Sequence, residues 1–165
     1  MAAWRMAMIG RYDPADGSEL DAPVPMWDRC RELGVAAICY PEVENDDFNN
    51  YTIDNPPPGW RLLKGSRPHT LKRFLYRMEV GNVIYVKQGT RIVGRGVISG
   101  KYQFDSADRI RNEYGAIWRH QLPVSWCAGF EARDIKVVPN QPQVTIVPLT
   151  ADDVTLIENA PRVHT

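Results

Sequence analysis

The chain has 165 residues and a net charge of zero at pH 7, a length that suits one domain burying roughly two thirds of its unfolded surface. The zero hides a segregation: residues 1–60 hold four Lys/Arg against eleven Asp/Glu, residues 61–119 thirteen against four, and residues 120–165 three against five, an asymmetry that suits either a polyanion-facing surface or acidic and basic segments paired across the fold. No apolar run approaches the roughly 18 residues of a membrane span and the start lacks a signal-peptide layout, so a cytoplasmic protein without a membrane partner is expected.

In chain order, Ala2–Ile9 reads as a strand with Trp4, Met6 and Met8 on one face, and residues 10–21 as a polar turn. Pro25 suits the first position of a helix whose Met26, Trp27, Cys30 and Leu33 fall at helical spacing and which Gly34 stops. Residues 35–40, VAAICY, read as a buried strand with Tyr40 emerging at its edge. Residues 41–65 form a long irregular loop holding Glu42, Glu44, Asp46 and Asp47 and the PPPGW passage at 56–60. A loop of that length in a compact domain is functional or disordered; exposed Tyr51 and Trp60 suit function, and a loop folded back with Trp60 in a satellite core is the equal alternative. Ser66 then suits the cap of a helix with Leu71, Phe74, Leu75 and Met78 on one face and Arg67, Lys72, Arg73 and Arg77 on the other.

Residues 80–104, VGNVIYVKQGTRIVGRGVISGKYQF, organise the rest. Two β-branched runs flank Gln88-Gly89-Thr90, the pattern of an antiparallel hairpin. The second run carries Gly94, Gly96 and Gly100 at the strand period, which marks a strand that bends or is closely approached, as in a small closed barrel. Asp105–Gly115 is a charged crossing, and Trp118 and Trp126 flank Pro123, which suits an edge strand or a break. Residues 135–138 and 144–147 read as two short strands, and Thr150 with Asp153 as a capping box for a helix through about Asn159. The sum is a single α+β domain over 1–165: a small, strongly bent mixed β-barrel with three or four helices, 41–65 its long loop and 150–160 its C-terminal helix.

Catalytic patterns are thin. His120 with Cys127 and the pair Asp46 and Asp47 lack motif support, adjacent aspartates point to different sides of an extended chain, and no phosphate-binding, dinucleotide-binding, zinc-protease or serine-hydrolase motif is present. Three cysteines without CxxC spacing argue against a disulfide framework or a zinc site. A non-catalytic protein with no cofactor and no metal is expected.

The order of a strand with Trp4, then GVAAICY at 34–40, a basic helix, VGNVIYVKQGTRIVGRGVISGKYQFD, and HQLPVSW at 120–126 resembles the EVE-type branch of the PUA-like superfamily, related to YTH domains, and especially the version at the front of modification-dependent restriction nucleases. The resemblance covers most of residues 2–130. Two departures stand out: Gly81-Asn82 where the family usually has Gly-Asp, and Tyr40 where its second strand commonly ends in Trp. The resemblance implies a PUA-like fold and a reader of a modified nucleobase, of the 5-methylcytosine, 5-hydroxymethylcytosine or N6-methyladenine class, that holds the flipped base in an aromatic pocket. It implies DNA rather than RNA as partner, with an effector nuclease in cis or in trans.

Flipping costs a few kcal/mol and stacking on an aromatic returns about 1–3 kcal/mol, so one or two rings offset extrusion. A buried methyl adds only about 0.8 kcal/mol, so discrimination also needs shape and edge hydrogen bonds. Tyr40 is carried over from the family's cage aromatic, and Tyr102 and Trp126 belong to its most specific stretch. Trp60, Asp47 and Asn49 are added from the adjacent loop as base-contacting residues, and Arg61, Lys64, Lys87, Arg91 and Arg109 as phosphate contacts. The alternative is a PUA-like RNA-binding module acting in RNA modification or translation; an enzyme would show a strongly perturbed acid, base or thiol in a pocket, and an adaptor an exposed apolar patch.

Overall fold

The structure, a computed structural model, describes residues 2–16, 18–135 and 145–163. The chain runs β1 (Ala3–Ala7), β2 (Ile9–Tyr12), β3 (Glu19–Pro25), α1 (Trp27–Leu33) and β4 (Val35–Ile38). Three 3-10 turns follow at Pro41–Val43, Phe48–Asn50 and Pro58–Leu62, then α2 (Arg67–Lys72), which widens into a π turn over Arg73–Arg77. The second half comprises β5 (Val83–Gln88), β6 (Arg91–Ile98), β7 (Gln103–Phe104), β8 (His120–Trp126), β9 (Arg133–Asp134), β10 (Ile146–Leu149) and α3 (Ala151–Asn159).

The main sheet has the order β10-β1-β5-β6-β8-β4, with β7 on β8 and β9 on β6, while β2 and β3 pair only with each other. β1 and β5 are parallel and the other pairs antiparallel. The result is a mixed α+β fold on a curled, half-barrel sheet, with three α-helices among the described residues. The main core fills its concave side; a second cluster of Tyr85, Ile92, Ile135 and Ile157 lets α3 cover the other face. β1 is therefore buried on both sides, Arg5 as fully as Met6.

The hairpin forms where the β-branched runs place it, with Gly89 at φ 62° in the turn and a bulge at Val86/Lys87. Its glycines serve close approach: a Cβ on Gly94 would enter the Trp27 indole, and one on Gly96 would lie 2.5 Å from Trp126 Cε3. Those two rings meet edge to face at 4.7 Å, which fixes α1 across β6. The second strand is shorter than its sequence pattern suggests, because β6 stops at Ile98 and the chain turns before β7. Gly34 ends α1 at φ 67° as expected, whereas Pro25 closes β3 and Met26 takes the cap position.

Pro123 does not break β8. It is the last residue paired with β4, and the next residue begins the pairing with β6, so its missing N–H falls at a change of partner while its carbonyl accepts from the Ser99 N–H. The polar stretch after residue 10 contains the β2–β3 hairpin rather than a simple turn. Thr150 and Asp153 form the expected capping box. Of the two late strands, the expectation for 135–138 and 144–147 falls mostly on residues 136–144, which lie outside the described residues; β10 occupies Ile146–Leu149.

Candidate functional site

The 41–51 segment is tied to the sheet by one buried chain of hydrogen bonds. His120 opens β8 with its ring only 1% exposed, and its Nε2 lies 2.8 Å from the Val43 carbonyl. A carbonyl only accepts, so Nε2 carries the proton and Nδ1 accepts from the Tyr102 hydroxyl at 2.7 Å. That hydroxyl in turn accepts the Phe48 N–H at 3.3 Å. Burial pushes the His120 pKa down to about 4, so the ring stays neutral as the chain of bonds requires, and burial raises that of Tyr102. The Phe48 ring packs at the centre of this group, within 5.0 Å of His120, 6.1 Å of Tyr102 and 5.9 Å of Trp60.

Two residues before β8, Trp118 is buried in the core, and its backbone N–H donates to the carbonyl of Ile110. The antiparallel register pairs Ile38 with His120 and ends there; Tyr40 follows two residues on, extended and buried in the same core as Trp118. Asn112 closes the loop opposite: its Oδ1 accepts the N–H groups of Tyr114 and Ala116, at 3.0 and 3.1 Å, which fixes the amide with Nδ2 turned away from the turn. Asn112 Nδ2 and Trp118 Nε1 are both buried and donate to nothing among the described residues. Both side chains pack on Gly10 in β2, where an added Cβ would lie 2.8 Å from Asn112 Nδ2 and 3.7 Å from Trp118 Cζ2, with Val24 of β3 beside them. A buried donor without an acceptor costs about 1–3 kcal/mol, so an acceptor reaching either of these two would stabilise the protein.

The expected base-contacting residues are not gathered into one cage. Tyr40 does not emerge at an edge: it is 4% exposed, held in the core because the apolar run of β4 continues through it. Trp60 is half-buried against Phe48, and Asp47 spends its carboxylate on capping the Phe48–Asn50 turn through the Asn49 N–H. Asn49 and Tyr102 line a separate recess with Tyr76. Trp126 packs on Trp27 and Gly96, six residues along β8 from His120, about 20 Å at roughly 3.3 Å per residue. Cys127 lies beyond it, so the structure does not bring His120 and Cys127 together.

The expected phosphate contacts are also dispersed. Arg109 lies next to Ile110 and so beside Trp118, although its guanidinium also pairs with Asp105 at 3.3 Å. Lys87 pairs in register with Ala7, three residues ahead of Gly10. Arg91 is at the far end of β6, about 23 Å from Ile98 at roughly 3.3 Å per residue, while Arg61 and Lys64 are exposed on the 58–64 segment. Much of the basic stretch pairs internally: Arg67 with Glu42 and Arg95 with Glu158 join the charge segments, and Arg111 and Arg119 both reach Asp108. Among the described residues, Arg61, Lys64, Arg77, Arg91 and Lys101 have no ion-pair partner. Sequence reasoning misses Asn112 and Tyr76 because nothing local signals a donor turned inward or a π turn; Trp118 is visible as an aromatic, but not its pairing with Gly10.

Fold and site together define a mixed α+β domain whose half-barrel core carries inward-facing, unsatisfied hydrogen-bond donors between aromatic side chains. A family model described as a domain of unknown function (DUF8426) matches residues 18–150, and the chain belongs to that family. No curated protein matches it. Tyr40, Asn112 and Trp118 fall inside the matched stretch, and Gly10 just ahead of it. Among the described residues, no helix is long and apolar enough to cross a membrane.

Proposed function

We propose that this chain is a non-catalytic, PUA-like reader of the EVE type that takes a modified nucleobase from DNA to the place beside Trp118 and Asn112 that Gly10 of β2 now covers. The observation that carries the proposal is the pair of buried donors, Asn112 Nδ2 and Trp118 Nε1, that have no acceptor among the described residues and belong to side chains packed against Gly10 of β2. Two donors call for two neighbouring acceptors on a planar ligand. Cytosine offers its O2 and N3 side by side, whatever is attached at C5, whereas adenine sets its N6 amino donor beside N1. The 5-methylcytosine and 5-hydroxymethylcytosine class is therefore preferred over N6-methyladenine.

The base enters by displacing the β2–β3 hairpin, which pairs with no other strand, so no pairing with the main sheet is lost when Gly10 and Val24 leave Asn112 and Trp118. Arg109, next in sequence to Ile110, and Lys87, in register with Ala7, are the cations assigned to phosphates there, and the cations without an ion pair elsewhere add a salt-dependent attraction for the backbone. Any cleavage belongs to a nuclease in cis or in trans.

The test is binding to otherwise identical duplexes bearing cytosine, 5-methylcytosine, 5-hydroxymethylcytosine, adenine or N6-methyladenine at one position, across a salt series, with a matched RNA. A preference of tenfold or more for a modified cytosine supports the proposal. Equal, steeply salt-dependent binding to every duplex would reduce the protein to a general polyanion binder, and preference for the RNA would transfer it to RNA modification or translation.

A further inference from the structure

A second recess, about 430 Å³, lies between the end of the α2 π turn and the Gly100–Tyr102 segment, and neither Asn112 nor Trp118 lines it. Its origin is local. The Met78 N–H reaches back five residues to the Arg73 carbonyl, so the helix takes an extra residue per turn; Phe74 and Met78 stay buried while Tyr76 is turned out to 39% exposure. A π turn of this kind is an uncommon feature that often marks a functional position.

Tyr102 forms the facing wall, and its hydroxyl is fixed by His120 and the Phe48 N–H, so that ring is set before any ligand arrives. Tyr76 is near enough for its charge to disfavour ionisation of Tyr102. Leu75, Met78 and Leu122 make an apolar floor. Only three polar side chains other than the tyrosines line the recess: Asn49, Glu79 and Lys101. The carboxylate and the ammonium cancel, so the lining has no net pull on a phosphate or on an ammonium ion. It offers instead one acceptor, one donor and an amide that is both, around two aromatic rings. That combination matches an uncharged planar heterocycle with donors and acceptors on its edge.

We propose that this recess is a separate nucleobase-binding subsite, in which a base stacks on Tyr76 and its edge is met by Asn49, Glu79 and Lys101 while the sugar stays outside. The ligand is a free nucleoside or an unpaired base of a single strand; the chemistry is the same. The subsite shares no lining residue with the Gly10, Asn112 and Trp118 site.

The experiment is a titration of the full chain, followed by amide NMR shifts, with cytidine, with adenosine and with a four-nucleotide single strand, each at about 50 and about 500 mM salt. Saturable nucleoside binding that changes less than about twofold with salt is expected, because the ligand is uncharged. Tyr76→Ala is expected to weaken it about tenfold or more, and Tyr76→Phe by less than about threefold. The side chain is exposed, so the fold should persist; unchanged amide spectra away from residues 73–80 verify this. A single strand bound at least tenfold tighter than either nucleoside, with the same loss in Tyr76→Ala, assigns the subsite to a strand; equal affinity assigns it to free nucleosides. No saturation with any ligand, or Tyr76→Ala equal to wild type, overturns the proposal. Single-strand binding that vanishes at high salt, with no nucleoside binding, also overturns it by placing the contacts on phosphates. Asn112→Asp separates the two sites, since it should abolish duplex discrimination while nucleoside binding at the recess persists.

Discussion

Tyr102→Phe isolates the hydrogen-bond chain that holds the 41–51 segment on the sheet. The substitution keeps the ring, and with it the 6.1 Å contact with Phe48, but deletes the hydroxyl that donates to His120 Nδ1 at 2.7 Å and accepts the Phe48 N–H at 3.3 Å. His120 is 1% exposed, so water cannot replace the lost donor at Nδ1. Leaving that acceptor unsatisfied costs about 1–3 kcal/mol, and losing the longer bond from Phe48 about 0.5–1.5 kcal/mol. The sum is roughly 2–4 kcal/mol, which in a domain of this size lowers Tm by roughly 5–15 °C. Urea denaturation followed by tryptophan fluorescence measures it, with an unchanged m-value showing that the loss is in stability. Tyr76→Phe is the control, because the Tyr76 hydroxyl has no hydrogen-bond partner among the described residues; it should change stability by less than about 0.5 kcal/mol. A Tyr102→Phe protein within about 0.5 kcal/mol of wild type would refute the chain of bonds. So would a double-mutant cycle of Tyr102→Phe with His120→Ala giving a coupling below about 0.5 kcal/mol.

Acid should expose the same chain. The His120 pKa falls from an ordinary 6.5 to about 4 in the fold, so its contribution is complete above about pH 6.5 and is lost as the pH falls toward 4, approaching about 3 kcal/mol in all. Denaturation midpoints at pH 7, 5.5 and 4.5 should show that slope, and His120→Phe should flatten it. Gly94→Ala drives a methyl into the Trp27 indole and should destabilise by about 1–3 kcal/mol; a Gly94→Ala, Trp27→Leu double variant that regains none of the loss would argue against that packing. Thr150→Ala removes the cap of α3 and should cost about 1 kcal/mol, read as faster amide exchange over 151–155; equal exchange would show that the capping box contributes nothing.

The elements legible in the sequence are those whose signal is local. The β5–β6 hairpin declares itself through alternating β-branched residues around Gln88-Gly89-Thr90, and α3 through the three-residue spacing of Thr150 and Asp153. Gly34 marks the end of α1 because the left-handed cap needs it. The glycine period of β6 is visible, but its cause, the Trp27 and Trp126 rings, belongs to distant residues. The β2–β3 hairpin is hidden because β3 is mostly exposed and the register shifts between Gly10 and Tyr12 in place of a clean alternation.

The site is legible as a set of residue types and not as an arrangement. Tyr40 and Tyr102 stand out as aromatics near strand ends, yet their exposure is decided elsewhere: Tyr40 joins the core with β4, and Tyr102 is held under Phe48 of the 41–51 segment. Charge segregation suggests a basic surface, and pairs such as Arg67 with Glu42 and Arg95 with Glu158 show the acidic and basic segments meeting across the fold. The convergence of Gly10, Asn112 and Trp118 joins positions about a hundred residues apart, and no window along the chain can report it.

The most direct test of the base-reading proposal is the ratio of affinities for a 5-methylcytosine duplex and its unmodified twin, measured for the wild type and for Asn112→Asp. The substituted carboxylate would keep the acceptor that holds the Tyr114 and Ala116 N–H groups but would present a second oxygen where the unsatisfied donor now lies. The account predicts a ratio of tenfold or more in the wild type that falls to within twofold in the variant, with weakened but measurable binding to both duplexes. An undiminished ratio in a folded Asn112→Asp protein would contradict it.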